Sequence, residues 1–434
     1  MNRYLPLRGP LALALLLAAT PVVATPLLTS SEDTHARVCL ARATAPARIV
    51  AACDAALTGA RLTQTQRAEL LVARGDGQFW QDDPTTAATS YRTAIEWNPR
   101  SVEAWNGLGW ALWETDGNLA ALEAFQSSLA IDVSVQGLGG AAATGRRGGA
   151  IDNDEARRML EAALAIDPDY TWAMREIGWS HLDDLNHAAA IPSFEAALAI
   201  DQDDANALYG LGRARLDIGE ANAALGLFDR ALGSEPDNYG AQVFRITALR
   251  RLDRNAQAVR EAERLIAAHP DKASGYVEKG RALMALERRA EAIETFVTAE
   301  TVVGPNNAIL YWHADALASD ARFSEALAVI DRGLALDGAD YSDQLLKSYI
   351  ALELGDYALA RRAAEAALAT GIEDPWAHYY IAITLVHEGQ VTAGIGRFEQ
   401  AVALGLPGDR VGTFATELIR SGSYIEAAQL RLKY

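Results

Sequence analysis

The chain has 434 residues, half of them hydrophobic, and a formal net charge of −18. That acidity argues against nucleic-acid binding, which needs a basic footprint to displace counterions, and against broad adhesion to anionic lipid. It fits a solvated surface that keeps an extended protein soluble.

The first residues read as a targeting segment. Arg3 and Arg8 form a basic start, and Leu11–Ala19 is an apolar run too short to span a bilayer comfortably. Val22, Val23 and Ala24 precede a cut at Thr25. Residues 1–24 therefore read as a secretory signal peptide, with an uncleaved N-terminal anchor as the competing reading. Cleavage removes two Arg and no acid, so the charge becomes −18 − 2 = −20. No later stretch is long and apolar enough to cross a membrane.

Residues 25–67 read as a linker, Thr29–Thr34, followed by a helical cap. The only two cysteines, Cys39 and Cys53, lie 14 residues apart. On one straight helix they would be roughly 21 Å apart and unable to bond. Pro46 lies between them and breaks the helix. His35–Thr44 and Ala47–Leu57 can then fold back as a hairpin that brings the sulfurs together. In an exported protein this predicts a disulfide, the alternative being two buried thiols.

From residue 68 to about 408 the chain repeats itself with a period of about 34 residues. Val102–Val135 shows the unit most clearly. A first helix, A, carries Trp105, Leu108, Gly109 and Leu112. Asp116, Gly117 and Asn118 mark a turn. A second helix, B, carries Ala121, Phe125, Ser128 and Leu129. Neither apolar stripe can be covered by one helix alone. About ten such units follow one another, and residues 409–434 form a last pair of capping helices. Gly at the eighth position of helix A and small Ala residues on helix B let neighbours approach closely. Pro past helix B stops it and sets the next turn.

The unit resembles the tetratricopeptide repeat. Trp105, Leu108-Gly109, Leu112, Ala121 and Phe125 match that family's pattern in order. The resemblance implies an all-α, right-handed solenoid whose A helices line a concave groove, and a protein that holds partners together.

Positions two, five, nine and twelve of helix A fall about 100–120° round from the packing stripe. If that face lines the groove, it presents Phe79 and Trp80, then Asn106, Trp110 and Trp113, then Trp172, Arg175 and Trp179. Tyr209 and Arg213 follow, then Arg250 with Arg251 beside it, Arg281 and Tyr311. Aromatics and Arg are enriched at binding hot spots. An Arg stripe in an acidic protein would suit an acidic segment of a protein or peptide partner. The bland reading is that the Trp side chains fill the inner curve and the Arg residues pair with neighbouring acids.

The third unit, near 134–168, breaks the pattern. Gly137–Gly149 holds six Gly where helix A should be. Gly at these positions weakens a helix, which predicts a frayed helix or loop with Arg146 and Arg147 exposed. Such a stretch serves either as a slack linker or as a mobile flap beside the Trp110–Trp179 groove.

No phosphate loop, zinc motif or nucleophile elbow is present, so no catalytic, metal or cofactor residue is expected. His181 and His187 read as exposed turn residues. The expectation is a non-enzymatic, periplasmic protein- or peptide-binding scaffold of the bacterial cell envelope. A carrier or assembly factor for envelope glycans, stacked on the Trp cluster, is the alternative.

Overall fold

A computed structural model of the chain describes residues 31–58, 62–115, 117–337 and 340–434. The expected signal segment, the start of the linker and Asp116 lie outside these residues. All regular elements among the described residues are helices. They form two compact units, one ending at Ala241 and the other starting at Gln242.

In the first unit, α1 (Ser31–Ala41) and α2 (Pro46–Leu57) form the N-terminal hairpin. Helix α1 starts inside the stretch read as linker. Pro46 opens α2 at the position where its missing N–H costs nothing. Cys39 and Cys53 lie buried with their sulfurs at bonding distance and their Cα atoms 4.9 Å apart. Five helix pairs follow: α3 (Gln64–Phe79) with α4 (Pro84–Trp97), and α5 (Val102–Thr115) with α6 (Asn118–Leu129). Next come α7 (Val135–Arg147) with α8 (Asn153–Ile166), and α9 (Thr171–Asp183) with α10 (His187–Ile200). The last pair is α11 (Ala205–Asp217) with α12 (Ala221–Ser234).

Helix α13 (Tyr239–Arg251) carries the division between the units. In the second unit α14 (Asn255–Ala268) is followed by α15 (Ala273–Ala285) and α16 (Arg289–Val302). Helices α17 (Asn307–Ser319) and α18 (Phe323–Asp337) make the next pair, then α19 (Tyr341–Glu353) and α20 (Tyr357–Leu368). Helices α21 (Pro375–His387) and α22 (Val391–Ala403) precede the closing pair, α23 (Arg410–Arg420) and α24 (Tyr424–Lys433).

Within each unit the odd-numbered helices, the A row, pack on their next odd neighbours: α3 on α5, α5 on α7, and so on to α11, and α15 on α17 through to α23. No two even-numbered helices make comparable contact among the described residues. The A row is therefore the tight row and its free surface is the inner one.

Six of the B helices plug the stack with one aromatic each. Tyr91, Phe125, Phe194, Phe228, Phe296 and Phe398 are all buried. Several of these rings sit between two glycines, one on each flanking A helix. A Cβ on Gly109 would lie 2.7–2.8 Å from the Phe125 ring, and one on Gly140 would lie 2.6 Å or less from three of its atoms. Gly178 and Gly210 hold Phe194 in the same way. The eighth-position Gly of the sequence pattern is one jaw. The second jaw, on the following A helix, is visible only in the packing.

That second jaw corrects the expectation for Gly137–Gly149. The stretch is neither frayed nor a loop through residue 147: it is the helix α7, capped by Ser134, whose Oγ accepts from Gly137 N–H. Its glycines are buried under large neighbours. Gly140 faces Phe125, and Gly139 faces Trp172, whose ring would lie 2.8 Å from an added Cβ. The backbone is weak in local propensity, but burial of the flanking rings at about 25 cal/mol per Å² outweighs that cost.

Candidate inner-face binding site

In the first unit the aromatic positions turn inward. Trp172, Trp179 and Tyr209 are buried, and Trp110 and Trp113 are half-buried. Trp110 packs edge-on to Trp172 at 5.4 Å and to Phe125 at 5.0 Å. Trp179 lies 5.3 Å from Tyr209. The bare surface of α7 is what admits Trp172. Asn106 is buried too, donating to Ser134 Oγ at 3.1 Å. Phe79 is half-buried against the core, and Trp80 is exposed at the end of α3.

Arg146 and Arg147 are not exposed, which corrects the second half of the expectation for this stretch. Both bond to Glu176, a carboxylate only 2 % exposed, at 3.1 and 2.8 Å. Arg146 also pairs with Asp183, and the Arg147 guanidinium lies 4.8 Å from the centre of the Trp113 ring. The other stripe arginines are likewise engaged. Arg175 pairs with Asp204. Arg213 lies over Trp179 at 5.7 Å. In the second unit Arg250 and Arg281 share Glu278, at 3.3 and 3.0 Å. Arg251 is exposed at the end of α13. Of the positive stripe, Arg175, Arg250 and Arg281 are thus matched by acids on an adjacent A helix or their own.

His181 and His187 are half-buried; burial and Arg157 lower the His181 pKa, and His187 Nδ1 lies 3.5 Å from Asp217.

The second unit presents a different inner face. Arg281, Tyr311, Trp312, Asp315, Tyr341, Tyr349, Trp376 and Tyr380 are all half-buried on the A helices α15 to α21. Trp312 meets Tyr311 edge-on at 5.1 Å and carries the Arg281 guanidinium at 4.3 Å. Trp376 and Tyr380 lie 6.1 Å apart, and Tyr349 and Tyr380 6.4 Å apart. Arg410 from α23 covers the Trp376 ring at 4.9 Å. Burial raises the pKa of Tyr311, Tyr349 and Tyr380, so these phenols stay neutral and can donate and accept hydrogen bonds. Burial also holds the Asp315 carboxyl above the usual carboxylate range, against the opposing charge of Arg281.

Of this set only Arg281 and Tyr311 stand out in the sequence reading. Asp315, Tyr349 and Trp376 occupy the ninth, ninth and second positions of their helices, so the same positional rule reaches them. Trp312, Tyr341 and Tyr380 lie one residue off those positions.

Tetratricopeptide repeat models match the sequence over 72–132, 149–205, 181–248, 245–300, 277–341 and 345–407. The chain belongs to the tetratricopeptide repeat family. The matches skip 133–148, the Gly-rich segment that the structure shows as a regular A helix. Among solved structures, the Cut9–Hcn1 hetero-tetramer of the APC/C is similar over 92 % of this chain and 86 % of its own, at 12 % identity and a TM-score of 0.53. Yeast Tom70 is similar over 93 % and 97 %, at 11 % identity and a TM-score of 0.50. A tetratricopeptide repeat protein from Parabacteroides merdae is 18 % identical over 58 % of this chain and 99 % of its own, with a TM-score of 0.45. No curated protein sequence is significantly similar to the chain. At these identities the structural likeness concerns the fold. Family members are typically non-enzymatic scaffolds, and the fold of this chain is consistent with that role.

Proposed function

We propose that this tetratricopeptide repeat protein is a protein-binding scaffold, and that it grips an extended polypeptide segment along the inner face of the unit from Gln242. The observation that carries this is the half-buried row of Tyr and Trp side chains on α17, α19 and α21. Such side chains offer large contact area at low entropic cost, with a polar atom at the end of each ring. The corresponding row in the first unit is mostly packed away, so its Trp residues offer little ring face for stacking a glycan. That favours the polypeptide over the glycan reading. The basic, apolar and small-residue order of residues 1–24 and the cysteine pair support a further part of the proposal, namely export to the periplasm and work in the cell envelope.

The test is site-specific photo-crosslinking of the full chain in the cells that make it. One probe replaces Tyr349 on the inner face and the other replaces exposed Glu294 on α16. A defined protein adduct from position 349 alone is expected. Equal labelling from both positions overturns the inner face as the binding surface. Absence of any protein adduct overturns the protein-partner reading.

A further inference from the structure

The inner-face acids named here have partners within the fold, with one exception among the described residues. Glu176, Asp204 and Glu278 hold arginines, and Asp343 accepts from Asn307 Nδ2 at 2.9 Å. Asp315 lies on the same face and differs. Among the described residues no hydrogen bond and no ion pair reaches its carboxylate; the charge of Arg281 acts on it from farther away. Arg281 itself is taken up by Glu278 and by the ring of Trp312.

The surroundings of Asp315 narrow what would complete it. Tyr311 stands one turn earlier on α17, on the same side of the helix. Helix α19 packs on α17, and its Tyr349 lies within reach of the charges of Glu353 on its own helix and of Asp315. A half-buried carboxylate with one phenol a turn away on its own helix and another on the helix packed against it is matched by a cation that can ion-pair with the one and lie against the others. An acidic segment would meet Asp315 as a like charge. The net charge of −18 also raises the local concentration of a basic partner.

We infer that the inner face of the unit from Gln242 seats a basic side chain, Lys or Arg, of the bound polypeptide against Asp315, beside Tyr311 and Tyr349. This rests on the polypeptide-binding reading above. It reverses the acidic partner that the arginine stripe suggests, because Arg175, Arg250 and Arg281 of that stripe already have counter-charges within the fold.

The probes are two synthetic twelve-residue peptide libraries, identical except for a central Lys or a central Glu, selected on the full-length protein. The wild type is expected to retain the Lys library and to enrich it at least tenfold over the Glu library. Asp315→Asn should weaken a selected Lys peptide by about tenfold or more, as loss of a charged hydrogen-bond partner does. Asp315→Lys should reverse the preference. Glu294→Gln, an exposed acid on α16, should leave the selection unchanged. A melting temperature of Asp315→Asn at or above that of wild type shows that the fold is intact. Equal retention of both libraries, or a Lys preference that survives Asp315→Asn, overturns the inference and leaves polypeptide binding standing. Retention of neither library overturns both.

Discussion

Gly140→Ala adds one methyl group to α7, and its effect can be worked out from the packing. The new Cβ would sit 2.6 Å or less from three ring atoms of Phe125, a distance that real contacts do not reach. Phe125 cannot swing away, because it is fully buried and Gly109 of α5 flanks its other side so closely that even a Cβ there would lie 2.7–2.8 Å from the ring. Overpacking of this kind costs about 1–3 kcal/mol. Replacing Gly by Ala inside a helix returns about 1 kcal/mol in propensity. The expected net result is a loss of about 1 kcal/mol, increasing if the ring is pushed out of its socket. Gly226→Ala on α12 is the matched control, since a Cβ there meets nothing within 4 Å. It should stabilise by about 0.5–1 kcal/mol. The assay is urea unfolding of the full chain by far-UV circular dichroism, read as midpoint shifts because a stack of repeats need not unfold in one step. Phe125→Leu should relieve the clash, so that Gly140→Ala is less harmful in that background by about 1 kcal/mol. If Gly140→Ala stabilises as much as Gly226→Ala, the two-glycine socket is refuted and α7 is slack after all.

Four further outcomes follow from other parts of the molecule. Glu176→Ala leaves Arg146 and Arg147 without their shared buried acid and should cost about 3 kcal/mol; a drop in thermal stability below about 1 kcal/mol would show that Asp183 and Trp113 suffice for them. Reducing the Cys39–Cys53 pair should destabilise the N-terminal hairpin by about 3 kcal/mol, seen as faster amide exchange in α1 and α2, with no change expected in the unit from Gln242. Leu185 holds a positive φ of 57° at the turn between α9 and α10, where Gly219 serves in the next pair. Leu185→Gly should therefore raise the melting temperature, and a fall would mean that the exposed Leu side chain has a packing role. Asp315→Asn should melt higher than wild type at pH 7. Because the folded-state pKa is raised, the carboxylate costs stability above its folded value and costs nothing below its ordinary value near 3.8, where both states are protonated. The advantage of the variant should vanish as the pH falls through that window, and a pH-independent difference would point to packing instead.

The family, the helical repeat and the cysteine pair were legible in the sequence, because each rests on local or periodic information. An apolar stripe every 3.6 residues, a small residue at the eighth position and Pro after helix B are visible in one chain. Gly137–Gly149 misleads for the same reason. Helix propensity is a local quantity, and by it six Gly make a poor helix. What holds α7 is tertiary, since Phe125 and Trp172 occupy the volume that its missing side chains leave. The arginine stripe is a second case. Arg175, Arg250 and Arg281 lie on A helices, but their charges belong to the fold. Their partners come from neighbouring A helices or the same one, such as Asp204 for Arg175 and Glu278 for the other two. Composition can count charges but cannot pair them, because Coulomb energy depends on distances that only the stacked helices define. The sequence by itself determined the repeat; the tertiary structure decided which side chains of the A row are used up in holding the stack, and that Asp315 is not.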